Sequence, residues 1–203
     1  MGGRVRTTIL AVLAALMLAM LVLAQVASAQ QAKTTGGVRQ PLLFAWARII
    51  NVEGDPIGAV AFTQHRSSDE VRVFVFATGL QPGKHGTHIH SVGQCDPNSI
   101  DPATGSPFYS AGTHFNPQMN EHGLQNPQGP HAGDLPNLKV GPAGVGFLRA
   151  KDDRITLRKG QENSLFDGDG SAIVIHENRD DQMTDPTGNS GARIACGVIR
   201  RAQ

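Results

Sequence analysis

From residue 42 onward the chain predicts an all-β domain, an antiparallel sandwich or barrel of about eight short strands with two long functional loops. Three observations carry this. Apolar, β-branched runs recur, turn signals rich in Gly, Pro, Asn and Asp separate them, and helical periodicity is absent. Leu42–Asn51 opens the series; residues 52–56 turn, 57–63 continue as strand, 66–69 turn again, and 71–76 form a third strand. The segment 79–83 leads into a strand carrying His88 and His90. Further strands are expected at 144–150, 154–157, Ala172–His176 and 192–199, with no helix of note. Two segments, 95–142 and 177–191, are irregular, and loops of that length in a compact domain usually carry function.

The first 29 residues read as a signal peptide: Arg4 and Arg6 precede an apolar run over 9–24, and Ala27-Ser28-Ala29 offers the small residues a signal peptidase reads. Export to the periplasm, the cell envelope or the medium is expected. The run is slightly short for a bilayer span, and an uncleaved membrane anchor is the alternative. No Cys lies near the cleavage site, which excludes a lipoprotein anchor. Residues 30–40 are expected to be a polar, disordered lead-in, and 41–203 suffice for one core. Without Arg4 and Arg6, 16 basic residues face 17 acidic ones, a net charge near −1. That balance gives no reason to expect nucleic acid or a stable membrane partner. The only two cysteines, Cys95 and Cys196, lack C-x-x-C spacing, and in an exported chain they are expected to be oxidised.

Five of the eight histidines fall within the 47 residues from His88 to Asp134. On a strand His88 and His90 project from one face about 7 Å apart and can share one ion. His114, His122, His131 and Asp134 follow in a run rich in Gly, Pro and Asn, with little apolar surface to order it. A bound cation would supply that order. Imidazole suits zinc and copper, the carboxylate suits zinc, and two imidazole-rich sites are the simplest reading. Taken alone, a His-x-His on a strand is more often a polar outer face, so the argument rests on the cluster. His176 closes an apolar run and by itself would read as a core histidine, but Asp180 follows closely, and a carboxylate there is a natural acceptor for the free ring N–H of a metal-bound imidazole.

These residues resemble the copper/zinc superoxide dismutases of the secreted bacterial type. The matching motifs are Gly86-Thr-His88-Ile-His90, Gly112-Thr-His114-Phe-Asn116-Pro, His131-Ala-Gly-Asp134-Leu, Ile175-His176-Glu177 and Gly188-Asn-Ser-Gly-Ala-Arg193-Ile-Ala-Cys196-Gly. The resemblance implies a Greek-key strand order, copper on His88, His90, His114 and His176, and zinc on His114, His122, His131 and Asp134. It implies that His114 bridges both ions as an imidazolate, that Asp180 links the two sites, and that Cys95 pairs with Cys196. Arg193 would stand beside the open copper position, where with His114 it serves catalysis, and His85 would bond backbone. The implied function is antioxidant dismutation of superoxide to dioxygen and hydrogen peroxide by redox cycling of copper, with zinc structural, and a homodimer is compatible with it. Two departures stand out: the segment between Cys95 and Gly112 is longer than in the animal enzymes, and 177–193 is shorter and lacks Lys. His65 matches nothing and is expected at the surface.

Two rival classes are a metal-binding protein without turnover and a zinc hydrolase. The full copper set argues against the first, and the absence of a His-Glu-x-x-His helix with its general base against the second.

Overall fold

The computed structural model describes residues 42–202, and the expected signal peptide and lead-in lie outside them. Ten strands form: β1 (Leu42–Asn51), β2 (Pro56–His65), β3 (Val71–Thr78), β4 (Gly83–His85), β5 (Thr87–His90), β6 (Leu138–Val140), β7 (Val145–Asp152), β8 (Ala172–His176), β9 (Arg193–Val198) and β10 (Arg200–Arg201). Their pairings are all antiparallel. Nine follow one path, β4-β6-β7-β3-β2-β1-β9-β8-β5, and β10 lies against β1. The two ends of the path, β4 and β5, are separated in the chain by Gly86 alone. One continuous stretch thus carries both edges and brings the sheet close to a closed barrel, the arrangement that removes exposed edges.

The two-residue period decides what faces inward. β1 alternates exposed and buried side chains from Leu42 to Ile49, turning Leu43, Ala45, Ala47 and Ile49 to the interior. Val60 and Phe62 of β2, Val71, Val73, Val75 and Ala77 of β3, and Leu148 and Ala150 of β7 meet them there. Gly58 permits the β2–β3 approach, since a Cβ there would sit 2.1 Å from the Phe76 carbonyl oxygen.

Two expectations need correction. The strand expected at 154–157 does not form; the structure shows only an isolated bridge between Thr156 and Ser164. Two of its donors are met by a buried side chain, because Gln64 Oε1 accepts from Thr156 Oγ1 (3.0 Å) and from the Leu157 N–H (2.8 Å). Ile155 and Leu157 still fill the core. Conversely, β4, β6 and β10 are too short to show a period, and β6 lies inside a segment expected to be irregular. His65 is exposed, as expected.

The longer segment after Cys95 packs rather than dangles. Phe108 and Ala111 join Ala172, Val174 and Cys196 in a second apolar cluster, against which Ile50 and Cys95 pack. The Cys95–Cys196 disulfide is formed, with Cα atoms 5.6 Å apart. It ties this loop to β9 and in the chain-entropy account stabilises by up to about 4.7 kcal/mol for a loop of this length.

Candidate metal centre

β5 is buried on both faces. Ile89 enters the core while His88 and His90, flanking it, project to the other side, where the long loop lies over them. β8 runs along one edge of β5. Along the other, the Ile89 N–H donates to the Gly133 carbonyl (2.8 Å) and the Phe115 N–H to the Ile89 carbonyl (2.9 Å). His114 and Asp134 are thereby drawn beside His90 and His88, as the isolated bridges record.

Donor atoms of His88, His90, His114 and His176 all lie within 4.8 Å of one another, and all four residues are buried. Each outward ring nitrogen of three of them is spoken for. His88 Nε2–H donates to Asp180 Oδ2 (2.7 Å), His90 Nδ1–H to the Gly112 carbonyl (2.9 Å) and His176 Nδ1–H to the Gly191 carbonyl (3.1 Å). What remains is His88 Nδ1, His90 Nε2, His114 Nε2 and His176 Nε2, all buried without a hydrogen-bond partner. Four unpaired lone pairs in a dry site would be costly unless a cation met them.

The other nitrogen of His114 faces a second group. Asp134 Oδ1 stands 3.1 Å from His114 Nδ1, 3.0 Å from His122 Nδ1 and 3.4 Å from His131 Nδ1, and the Nδ1 atoms of His114 and His131 are 3.2 Å apart. A tetrahedral zinc site with bonds near 2.0 Å has ligand–ligand edges of about 3.3 Å, and these four separations match such an edge. The His122 Nδ1 approach is not in line for a hydrogen bond. It is the contact of two ligand atoms facing one centre. A looser grouping joins His88, rather than His131, to His114, His122 and Asp134. The shorter contacts decide for His131, since His88 gives Nε2 to Asp180 and keeps Nδ1 for the first group.

Asp180 joins the two groups from outside. Its Oδ2 takes His88 Nε2–H, and its Oδ1 takes His122 Nε2–H at 3.1 Å. Four residues to which the sequence assigned no role hold this arrangement. Gln182 donates its backbone N–H and its amide to Asp180, each at 2.6 Å. Asn137 clamps the Asp180 backbone, accepting from its N–H (2.8 Å) and donating to its carbonyl (2.9 Å). Gly188 has φ +62°, and a Cβ there would lie 1.8 Å from Asp180 Oδ1. Asp185 Oδ1 accepts the His122 N–H (2.7 Å) and stands 3.7 Å from His131 Nε2. His85 spans the carbonyls of His176 and Gln81, each at 2.8 Å, as expected of it.

Arg193 is half-buried, its guanidinium donating to the carbonyls of Phe108 and Gly112, each at 2.7 Å. The Gly112 carbonyl also accepts from His90 Nδ1, so one carbonyl separates the cation from the first histidine group. Phe108 and Ser106, whose Oγ accepts the Arg193 N–H (2.9 Å), belong to the longer loop segment.

A family model for copper/zinc superoxide dismutase matches residues 57–199. The chain belongs to that family. Among curated relatives it is 44% identical to superoxide dismutase [Cu-Zn] 2 of Aquifex aeolicus over 78% of this chain and 87% of the relative. It is 42% identical to the superoxide dismutase-like protein YojM of Bacillus subtilis over 75% of this chain and 74% of that one. A crystal structure of a SOD-like protein from Bacillus subtilis superimposes with a TM-score of 0.64 at 40% identity, covering 75% of this chain and 95% of that chain. The Greek-key fold, the enzyme class and the family's two ions, copper and zinc, agree with what the motifs implied.

In this copper/zinc superoxide dismutase fold, burial sets the charge of the clustered histidines. It holds His88 and His90 well below the usual histidine range, aided by the neighbouring His114, and brings His176 down to about 3 against the opposing Gly191 hydrogen bond. These rings are neutral at pH 7, the state in which imidazole ligates. His122 goes the other way: burial lowers it, but Asp134 and Asp180 outweigh that and raise it to about 9. In the metal-free protein the signs are therefore opposite. As pH falls below 6.5 the unfolded chain takes up protons that His88, His90 and His176 refuse, so their stabilising share is complete above 6.5 and lost as pH falls. The His122 share is complete below 6.5 and lost as pH rises through 9. Urea titrations of the apoprotein should show greatest stability near neutrality, with a steeper fall on the acid side; a flat profile from pH 4 to 6.5 would contradict it.

Proposed function

We propose that this protein dismutates superoxide outside the cytoplasm, after export directed by its N-terminal segment. Copper would be held by His88 Nδ1, His90 Nε2, His114 Nε2 and His176 Nε2, and zinc by the Nδ1 atoms of His114, His122 and His131 with Asp134 Oδ1. The observation that carries this reading is the convergence of four buried, unpartnered ring nitrogens beside a second group, on Asp134, that shares His114 with them. Bound copper supplies one-electron redox chemistry, oxidising one superoxide to dioxygen and reducing the next to peroxide, while zinc supplies charge and order without redox.

The chain's own residues supply the rest. His114 presents Nε2 to the copper group and Nδ1 to the zinc group, so it can hold a proton at Nε2 and give it up to peroxide. His90 and His176 are oriented by backbone carbonyls. Arg193 holds a fixed planar cation for a small anion, its fork pinned by two carbonyls.

Metal analysis after reconstitution, coupled to a superoxide assay, tests the reading. One copper and one zinc per chain with dismutation are expected; zinc alone, or a copper-loaded protein without turnover, would overturn it. Within that assay Arg193→Ile should lower activity about tenfold or more, the scale of one lost charge-assisted contact, with metal content unchanged and a flatter dependence on ionic strength. Arg193→Lys should keep part of the activity, because the point charge survives without the fork.

A further inference from the structure

The outer face of β1, β2, β3 and β7 carries none of the six histidines of the metal centre, and it is unusually apolar for a water-facing sheet. Leu42 is 60% exposed, Phe44 41%, Trp46 38% and Phe147 53%. The Phe147 ring lies 5.2 Å from that of Phe76 and 6.4 Å from that of Phe74, so these three rings form one patch, and only Ala61 separates Trp46 from Phe74 in the register. Scattered exposed side chains need no explanation, but a contiguous patch marks an interaction surface.

The strand registers show what surrounds it. One row across the face reads Arg200, Trp46, Ala61, Phe74, Arg149. The next reads Arg48, Ala59, Phe76, Phe147, Lys139. Each row is apolar in the middle and cationic at both ends, and five strands at about 4.8 Å spacing make it about 19 Å wide. Arg48, Lys139, Arg149 and Arg200 take part in no ion pair among the described residues. Arg72 and Lys151 share Glu70, at 3.0 and 2.9 Å, leaving one net positive charge there. Arg72, Arg149 and Lys151 also line an open depression with Pro136 and Ala150, a seat for an anionic headgroup.

We propose that this face binds an anionic bilayer surface, with Trp46, Phe44 and the Phe74–Phe76–Phe147 patch at the headgroup boundary and the basic rim on the phosphates. Amphipathic rings beside long cationic side chains suit that boundary, where the rings enter the interface and the charges stay in water. A second copy of this chain fits worse, since face-to-face packing would set four unpaired cations against four. A soluble polyanion would satisfy the rim and leave the aromatic centre wet. The net charge near −1 conceals the face, because the chain's acids balance its bases only when summed over the whole molecule. Binding this way would leave the metal centre open to solution.

Trp46 is the chain's only tryptophan and sits in the face itself, so its emission distinguishes this contact from any made by the N-terminal apolar run. The full-length, metal-loaded protein is mixed with vesicles of equal phosphatidylglycerol and phosphatidylcholine, or of phosphatidylcholine alone. With the anionic vesicles Trp46 emission should shift to the blue and be quenched by chain-brominated lipids, with dismutation retained. Arg149→Glu combined with Arg200→Glu should weaken partitioning at least about tenfold without loss of activity, as removing and reversing two interfacial charges implies. Vesicle-bound protein with unchanged Trp46 emission, or equal binding to the neutral vesicles, would overturn the proposal. So would the same blue shift with heparin, which points to a soluble polyanion, or on concentrating the protein without lipid, which points to a second copy.

Discussion

His176→Gln is expected to lower dismutation by more than about a hundredfold and leave zinc in place, while Asp134→Asn chiefly removes zinc. The asymmetry follows from geometry. His176 Nε2 is one of the four unpartnered nitrogens, whereas Asp134 Oδ1 touches only the group of His114, His122 and His131. Changes to residues that merely orient metal ligands cost 10- to 100-fold, so loss of a ligand itself should exceed that. Glutamine is the better replacement at 176, because its amide can still donate to the Gly191 carbonyl and the effect is then not one of a broken loop. Element analysis of both variants with an activity assay checks this. Equal loss of both metals from both variants would contradict the two-group assignment.

Asp180→Ala should weaken both metals together, each by about 10- to 100-fold, although Asp180 belongs to neither group of ligand atoms. Its two oxygens accept one histidine from each group, and removing them leaves His88 and His122 free to turn. Asp180→Asn is the sharper test. An amide offers one oxygen and one NH2, so it can accept from one of the two histidines and must oppose the other. Competition with metal chelators should therefore show one ion weakened much more than the other in the asparagine variant and both in the alanine variant. Affinities within twofold of the parent in both variants would show that Asp180 does not link the sites.

Much of this was readable from local chemistry. The spacing of His88 and His90 fixes them on one face because a strand repeats every two residues, and Ile89 between them is in the core, as that period requires. The Gly- and Pro-rich run after Cys95 was legible as a long functional loop because nothing in it repeats. Where local chemistry misled, distant contacts or short length were the cause. Residues 154–157 have strand-like composition, but Gln64, about ninety positions away, takes the backbone donor that a neighbouring strand would have used. β6 and β4 are three residues each, too short for a period to emerge.

The sequence by itself determined the long strand-forming runs and the cluster of candidate histidines, since each depends on residue type and short spacing, and it supplied just two cysteines to pair. Only the tertiary structure decided which ring nitrogen of each histidine is left free, because that depends on acceptors such as the Gly112 and Gly191 carbonyls and Asp180, which come from distant parts of the chain. The same holds for Asn137 and Gln182 around Asp180, and for Phe108 beside Arg193: as single polar or apolar residues in loops they carry no pattern. It holds too for the cationic rim around Trp46, where residues more than 150 positions apart become neighbours through strand register. Composition sums charge over the chain, and only the folded sheet separates it in space.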